Sequence, residues 1–250
     1  MKTTIKKGKA FIKKMIHELP WSNKQAINEI YSSIELSKID ISFLPQTSFS
    51  VSSTLLLHII NDLIINKRKY ILELGTGIST VYISKIIDQF NLDARFISID
   101  QSKEWIHTVE KQLYANTPRA STQLFHIPYD EKTHWYDNEK LNLIFEANDF
   151  IFDLILIDGP DTKKTASSRS YFTKTLGKNY FKLNKSFSIF VDDTYRKEEK
   201  ELSKNIAKIT GGSLYSYDIY STISSPSSLI TKPKILGIDY RTQHFFNKNK

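Results

Sequence analysis

Short apolar runs alternate with longer stretches of helical periodicity from residue 70 onward. The runs at 70–74, 95–100 and 152–158 are almost continuously apolar, which is typical of strands buried on both faces. At 79–90 and 103–115, apolar positions recur every three or four residues, as expected for helices. This alternation of strand and helix predicts an α/β fold with a parallel sheet covered by helices on both faces.

The same patterns complete a sheet of seven strands. The further elements are two strands, at 122–127 and 186–193, and two helices, around 167–178 and 196–209. Two late strands are predicted at 213–220 and 234–240, with a Ser- and Pro-rich loop between them. Because no crossover helix separates these two strands, they must be antiparallel. Residues 128–150 form an insertion before the fourth strand.

Two helices are predicted before the first strand. The segment 22–38 begins at a Ser22 N-cap and carries an apolar face that is expected to pack on the domain. The residues of that face are Ile27, Ile30, Tyr31, Ile34 and Leu36. The segment 50–65 is far more apolar, which predicts a helix buried against the sheet. We predict a basic arm and N-terminal helix at 1–45, followed by a single domain at 46–250.

The net charge of +8 is concentrated at the N-terminus. Six lysines precede the first acid, Glu18: Lys2, Lys6, Lys7, Lys9, Lys13 and Lys14. They account for six of the eight charges, so the remainder of the chain carries only +2. The arm also has apolar residues at helical spacing, so it could contact an anionic membrane surface or RNA. We favour a tail whose apolar stripe packs on its own domain, and nucleic acid is not the expected partner.

Composition excludes several kinds of chemistry. The chain contains no cysteine, which rules out disulfides, thiolate zinc sites and cysteine nucleophiles. No apolar stretch in the arm is as long as the core of a secretory signal, and no run reaches transmembrane length. We therefore expect a cytoplasmic protein.

The run I-L-E-L-G-T-G-I-S-T connects the first strand to the following helix. Its glycines, Gly75 and Gly77, allow a tight turn and a close approach of a ligand to the backbone, and the helix N-terminus offers unpaired N–H groups. Asp100 ends the next strand, where an acid can accept hydrogen bonds from both hydroxyls of a ribose. Together these features predict a site for an adenosine-type cofactor.

The arrangement E-x-G-x-G-x-S resembles motif I of the class I S-adenosylmethionine-dependent methyltransferases, and F-D-L-I-L-I-D-G-P resembles their strand-four motif. This resemblance implies a Rossmann-like seven-stranded sheet of order 3-2-1-4-5-7-6, with the last strand antiparallel. It implies these cofactor-binding residues: Glu73, Gly75, Gly77, Ser79, Asp100, Gln101 and Asp130. One alternative is an RNA methyltransferase that binds RNA through the basic N-terminal arm. Another is a nicotinamide-dependent oxidoreductase, whose G-x-G-x-x-G loop would need a glycine where Thr80 stands.

Three carboxylates follow two predicted neighbouring strands: Asp158 after the fourth, and Asp192 and Asp193 after the fifth. Like charges gathered at one sheet edge require a proton or a cation, and oxygen ligands suit Mg²⁺ or Mn²⁺. The set is similar to that of metal-dependent O-methyltransferases, which implies a divalent ion bound to substrate hydroxyls. The competing interpretation has Asp158 acting alone as a base, with the acid pair capping a helix.

Two arginines accompany these acids, Arg169 and Arg196, and their surroundings resemble a bacterial methyltransferase group found near glycan-modifying genes. With Asp158, they are our predicted catalytic residues. D-G-P-D lacks the aromatic residue that amine methyltransferases place after strand four, so the predicted acceptor is a hydroxyl of a small molecule or glycan. In the insertion, Trp135 and Tyr136 either stack on that acceptor or pack in the core.

Overall fold

The computed structural model describes seven segments of the chain, at 21–42, 44–117, 122–146, 150–161, 168–176, 181–217 and 219–233. The lysine-rich arm and the strand predicted at 234–240 lie outside these segments. Within them, no helix is both long enough and apolar enough to cross a membrane.

The strands form one large sheet and one hairpin. In chain order they are β1 (Tyr70–Leu74), β2 (Arg95–Asp100), β3 (Thr122–His126), β4 (Tyr129–Asp130), β5 (Trp135–Tyr136), β6 (Ile151–Ile157), β7 (Lys182–Val191), β8 (Ser213–Ser216) and β9 (Ser221–Ser224). The sheet order is β3-β2-β1-β6-β7-β9-β8, and β4 pairs with β5 separately. All pairings in the sheet are parallel except those of β9, which is antiparallel to β7 and to β8. The predicted strand order 3-2-1-4-5-7-6 is confirmed.

The helices lie on both faces of the sheet. They are α1 (Trp21–Leu36), α2 (Ser53–Ile65), α3 (Ile78–Gln89), α4 (Lys103–Asn116), α5 (Asn138–Glu146), α6 (Phe172–Thr175) and α7 (Lys197–Thr210), with a 3₁₀ turn at Ser168–Tyr171 before α6. Alternate residues of β1 enter opposite hydrophobic clusters: Ile71 packs with α2 and α3, whereas Leu72 packs with α5 and α7. Where the sequence predicted a helix at 167–178, the described residues form the 3₁₀ turn and one helical turn with its C-cap at Leu176, so this helix is shorter than predicted.

A strand occupies a segment that the sequence predicted to be a loop. The sequence predicted a loop between 221 and 233, but β9 occupies Ser221–Ser224 and pairs with Ser188–Val191. Its small Ser and Thr side chains resemble the composition of a loop, yet Ser221, Thr222 and Ile223 are buried. Pairing with two neighbouring strands satisfies their backbone groups, so burial overrides the local composition.

The orientation of α1 also differs from the prediction. Two residues of the expected buried face, Ile30 and Ile34, are 60% and 55% exposed. Leu36 of that face is buried in the core as predicted. A polar contact also docks the helix: the Glu29 carboxylate accepts hydrogen bonds from the backbone N–H groups of Ser53 and Thr54. A carboxylate at a helix N-terminus accepts hydrogen bonds from otherwise unpaired N–H groups, and its negative charge interacts favourably with the helix dipole. This contact fixes α1 to the first turn of α2.

The insertion at 128–150 contributes to the core. It contains the β4–β5 hairpin and α5, and both Trp135 and Tyr136 are fully buried. The Trp135 ring stacks on Tyr171 at a centroid distance of 6.0 Å. Of the two roles considered for Trp135 and Tyr136, core packing is the one that the structure shows.

A buried ion pair connects α2 to β7. Arg68 Nε donates to Asp62 Oδ1 at 2.6 Å, and the two side chains are 1% and 2% exposed. Arg68 also donates to the Ser188 hydroxyl at 2.7 Å and to the Ser228 hydroxyl at 3.0 Å. The pair therefore fixes a helix, a central strand and the segment after β9 to one another.

Candidate active site

A cavity of about 480 Å³ opens at the carboxyl ends of β1, β2, β6 and β7. Ligands bind at this edge in open α/β sheets. Ten of the twelve predicted site residues line the cavity: Gly75, Gly77, Ser79, Asp100, Gln101, Asp158, Arg169, Asp192, Asp193 and Arg196. Glu73 and Asp130 are not among its lining residues.

The two glycines of the loop after β1 have different roles. Gly75 has φ +100°, and a Cβ there would lie 2.9 Å from the Gly159 backbone nitrogen. Its missing side chain therefore allows the loops after β1 and β6 to cross, rather than allowing a ligand to approach. Gly77 has an extended backbone with φ −170°, and a Cβ there would contact only the Ser79 hydroxyl, at 4.0 Å. Gly77 is thus the residue that leaves room for a ligand.

Glu73 lies fully buried beneath this loop. Its carboxylate accepts hydrogen bonds from the hydroxyl groups of Ser79, Thr80 and Ser98. Burial raises the pKa of Glu73 to about 7, although the three hydroxyl donors oppose this shift. Thr80 Oγ1 in turn accepts from the Gly77 N–H at 2.8 Å. Glu73 therefore positions the glycine loop and the start of α3 from below.

Asp100 lies at the end of β2, on the wall of the cavity. Its Oδ2 accepts from the Thr76 N–H at 3.1 Å, and its Oδ1 accepts from the Ser102 N–H at 2.7 Å. Burial raises the pKa of Asp100, and these backbone donors oppose the shift. A carboxylate has about four lone-pair positions, so both oxygens can accept a further hydrogen bond from a ligand.

Trp105, in the first turn of α4, is a site residue that sequence reasoning missed. Its indole Nε1–H donates to the Thr76 carbonyl at 2.6 Å, and the ring lines the cavity with 39% of the residue exposed. The indole thereby connects α4 to the glycine loop. The available signal was an aromatic residue five positions after the strand-two acid, at the start of a helix.

Asp130 lies on the β4–β5 hairpin, away from the cavity lining. Its Oδ1 accepts from the Lys132 N–H and its Oδ2 from the Thr133 hydroxyl, both at 2.9 Å. These local bonds, that of the Lys132 N–H above all, lower the pKa of Asp130. They are the contacts of a residue that stabilises a turn, and the predicted adenine contact remains a prediction.

The other end of the cavity contains paired charges. Arg169 Nη2 donates to Asp158 Oδ1 at 3.2 Å, and Arg169 Nη1 donates to Asp193 Oδ2 at 3.1 Å. Arg196 Nη1 contacts the same Asp193 oxygen at 3.1 Å. The arginine that bridges the two strand ends is therefore Arg169, whereas Arg196 contacts the acid after β7.

Two acids at this end, Asp158 and Asp192, have pKa values above their usual range. Burial raises the pKa of Asp158 to about 6, and repulsion from Asp193 adds to this while Arg169 opposes it. Burial and the negative charge of Asp158 raise the pKa of Asp192 well above its usual value. Asp193 has a left-handed backbone with φ +59°, which is uncommon for residues other than glycine. The backbone of this site residue is therefore strained.

The residues present do not fit the predicted divalent ion. A metal shared by Asp158, Asp192 and Asp193 would need their oxygens to converge on one point, but the Arg169 guanidinium bridges Asp158 and Asp193. Across the described segments, no group of three acidic or imidazole side chains is arranged to hold an ion. The metal hypothesis is therefore not supported, because an arginine supplies the counter-charge that motivated it.

Sequence comparison finds neither a matching family model nor a matching curated protein. Structure comparison finds the S-adenosylhomocysteine-bound methyltransferase of Podospora anserina, with a TM-score of 0.51 and 15% identity over 88% of this chain and 94% of that chain. Another similar structure is a putative caffeoyl-CoA O-methyltransferase from Staphylococcus aureus, with a TM-score of 0.48 and 16% identity over 87% of this chain and 99% of the other. A third is an O-methyltransferase from Bacillus cereus in complex with S-adenosylhomocysteine, with a TM-score of 0.47 and 13% identity over 83% and 93% of the two chains.

The first of these likenesses shows that the chain has the class I methyltransferase fold. The resemblance seen in its sequence motifs is thus confirmed at the level of architecture. Fold does not by itself fix activity, so the function must be argued from the cavity and its side chains.

Proposed function

We propose that the protein is a methyltransferase that moves the methyl group of S-adenosylmethionine to a hydroxyl of a small molecule or glycan. One observation carries this proposal: a single cavity is lined both by Asp100, a fixed carboxylate suited to a ribose, and by Asp158, a half-buried carboxylate suited to a base. A nucleoside-binding acid and a proton acceptor in one cavity are what methyl transfer to oxygen requires.

The cofactor end fits an adenosine-type ligand. Gly77 leaves open space above the loop, and both oxygens of Asp100 retain acceptor capacity toward ribose hydroxyls. The start of α3 and the ring of Trp105 complete this part of the cavity wall. When bound, S-adenosylmethionine would supply an electrophilic methyl carbon to the acceptor oxygen, with S-adenosylhomocysteine as the leaving group.

At the acceptor end, Asp158 is the base in our proposal. With its pKa raised to about 6, Asp158 is ionised at neutral pH, yet it is a stronger proton acceptor than an ordinary carboxylate. The hydroxyl proton of the acceptor passes to Asp158 as the oxygen becomes nucleophilic. Arg169 and Arg196 fix the acids that flank this position. Phe49 and Tyr195 also line the cavity and offer apolar contact to the acceptor.

Two measurements test the proposal in sequence. Calorimetric titration with S-adenosylhomocysteine should show one site per chain, whereas titration with NAD should show no binding. Incubation with S-adenosylmethionine labelled in its methyl group and a panel of hydroxyl-bearing small molecules and oligosaccharides should then transfer label to oxygen. NAD binding without S-adenosylhomocysteine binding would establish the oxidoreductase alternative instead.

The alternative of RNA methylation depends on the lysine-rich arm alone, which lies outside the described residues. Removal of residues 1–14 provides the test. An RNA methyltransferase would lose salt-sensitive RNA affinity on this truncation. Under our proposal, the truncated protein keeps its affinity for S-adenosylhomocysteine and its transfer to small hydroxyl acceptors. A membrane role for the arm would appear as loss of binding to anionic vesicles, with transfer unchanged.

A further inference from the structure

We propose that the Arg169 guanidinium is a built-in cation that bridges Asp158 and Asp193, in the place where these acids would otherwise bind a divalent ion. This inference deepens the proposed function, because in that reaction the same cation would face the acceptor oxygen. The claim that Arg169 neutralises these acids can be tested without measuring the reaction.

The geometry of the bridge supports a fixed cation. The two terminal nitrogens of Arg169 donate to different strand ends, to Asp158 at 3.2 Å and to Asp193 at 3.1 Å. The Arg169 side chain is only 6% exposed, so its planar fork is confined to one orientation. Two parallel donors from one rigid group define the spacing of the two acids, as a shared metal ion would do.

The electrostatic environment keeps this cation charged. Burial alone would lower the pKa of Arg169, but the attraction of Asp158, Asp193, Asp192 and Glu199 raises it above its usual value. Glu199, in the first turn of α7, is 1% exposed, and neither of its carboxylate oxygens has a hydrogen-bond partner among the described residues. Arg169 therefore has acids on the cavity side and a further buried acid in its surroundings.

The same geometry disfavours a divalent ion. An ion placed between Asp158 and Asp193 would replace both Arg169 hydrogen bonds and would lie next to a buried positive charge that cannot leave. One Asp193 oxygen is already shared by Arg169 and Arg196, at 3.1 Å each. A divalent ion bound to Asp193 would therefore lie close to positive guanidinium charge, and like charges that close repel strongly where water is excluded. The site is thus closed to a metal as long as Arg169 is present.

A consequence for the acceptor follows. Each terminal nitrogen of the Arg169 guanidinium carries two N–H groups. In our proposal they are hydrogen-bond donors near the position where the acceptor hydroxyl would lose its proton to Asp158. A fixed donor aimed at developing negative charge lowers the barrier without reorganisation during the reaction. We therefore expect an acceptor whose reacting oxygen becomes an alkoxide or phenolate beside Arg169, rather than one that must chelate a metal.

Manganese binding provides the test, because free Mn²⁺ has a six-line electron paramagnetic resonance signal that is lost on binding. The titration is performed at pH 8 on the full chain with Mn²⁺ alone. We expect the wild-type protein to bind no Mn²⁺ at this site. Arg169→Met, which removes the charge but keeps much of the apolar stem, should bind one Mn²⁺ at least about tenfold more tightly, equivalent to about 1.4 kcal/mol.

Three further variants make the test specific. Arg169→Lys keeps the positive charge and should exclude Mn²⁺ as the wild type does, so charge rather than the shape of the fork would be the cause. Arg196→Met removes the more exposed arginine of the cluster and should also bind no Mn²⁺. Arg169→Met combined with Asp158→Asn should lose the affinity that Arg169→Met alone gained.

Two results would overturn the proposal. One is wild-type Mn²⁺ binding that Asp158→Asn abolishes; the other is a folded Arg169→Met protein, verified by circular dichroism, that gains no affinity. If Arg169→Met does not fold, the wild-type and Asp158→Asn titrations still decide the matter. Calorimetry with S-adenosylhomocysteine on the wild type reports separately on the proposed function, which could fail while the Mn²⁺ pattern holds.

Discussion

The two ends of the cavity are built from different interactions. At the cofactor end, where β1 and β2 terminate, Asp100 is held by backbone N–H groups and Glu73 by hydroxyls, all within residues 73–105. At the acceptor end, where β6 and β7 terminate, Asp158 and Asp193 are held by the charged side chain of Arg169. The supports of the cofactor end are thus uncharged donors, whereas those of the acceptor end are ionic.

This difference separates two tasks. Groups held by backbone hydrogen bonds are suited to bind a ligand of fixed shape, because backbone donors lose little conformational entropy on binding. Proton transfer needs side chains whose pKa values are shifted by their neighbours, which requires charges brought together by the tertiary fold. Substitutions should therefore divide cleanly: those at the cofactor end change affinity for S-adenosylhomocysteine, and those at the acceptor end change turnover.

The largest effect is expected at Asp158. Asp158→Asn keeps the shape but removes the proton acceptor, so turnover with an acceptor found in the hydroxyl panel should fall about 10²- to 10⁴-fold. Affinity for S-adenosylhomocysteine, measured by calorimetry, should change less than about threefold, well under 1 kcal/mol. A large loss of cofactor affinity with normal turnover at saturation would remove the proposed division between the two ends.

At the cofactor end, Asp100→Ala should reduce affinity for S-adenosylhomocysteine about 30- to 100-fold, or about 2 to 3 kcal/mol. The reason is the loss of ribose hydrogen bonds to a charged acceptor. Asp130→Ala is the matched control, since Asp130 does not line the cavity. Its affinity should equal that of the wild type; a loss as large as that of Asp100→Ala would restore Asp130 as the adenine contact.

The two glycines of the loop provide a paired test. Gly75→Ala should destabilise the fold by about 1 to 3 kcal/mol, because φ +100° is strained for alanine and its Cβ would meet Gly159. Gly77→Ala, at an extended φ, should leave the melting temperature almost unchanged and weaken S-adenosylhomocysteine binding. Thermal unfolding and calorimetry on both variants give the result. If Gly75→Ala instead lost affinity and Gly77→Ala lost thermal stability, Gly75 rather than Gly77 would face the ligand.

The pH dependence of turnover should report the acceptor end. Since the pKa of Asp158 is raised to about 6, its base form is present above pH 6 and is lost as the pH falls below that value. From pH 8 to pH 5, kcat/KM should decrease about tenfold, as a single protonation predicts. S-adenosylhomocysteine affinity measured over the same range serves as the control. A profile that stays flat to pH 4.5 would mean that Asp158 is not the base.

The smallest effect is expected at Trp105. Trp105→Phe keeps an aromatic ring but removes the hydrogen bond to the Thr76 carbonyl. One such bond contributes about 1 kcal/mol, so S-adenosylhomocysteine affinity should fall about fivefold. Trp105→Ala also removes the ring and should cost more. If both variants bind as the wild type does, the indole only covers the loop and does not position it.

The cofactor end could be predicted from sequence because a strand–loop–helix motif with fixed spacing defines it. One strand, one glycine loop and the acid after the next strand suffice, and Gly77 and Asp100 both line the cavity. The acceptor end could be predicted only in its residue types. The strand order predicted that Asp158 and Asp193 lie close together. The position of Arg169 between them depends instead on tertiary packing, such as the stacking of Trp135 on Tyr171.

Elsewhere, sequence patterns failed where polar contacts replaced apolar ones. Periodicity assigned α1 an apolar buried face, and Leu36 is buried, but Ile30 and Ile34 are exposed. The Glu29 carboxylate of α1 docks the helix on the first turn of α2, a contact that no apolar pattern reveals. The strand β9 was mistaken for a loop because Ser221 and Thr222 have small polar side chains, whereas its pairing with β7 is set by the sheet. In each case tertiary context outweighed local propensity.

The buried pair of Asp62 and Arg68 has a consequence for how this chain can diverge. Removing one partner would leave the other charge buried and uncompensated, whereas replacing both with apolar residues of similar volume can preserve stability. The two positions are therefore epistatic, and so are the Ser188 and Ser228 hydroxyls that Arg68 contacts. Lineages that retain this fold should exchange these residues together or keep them all.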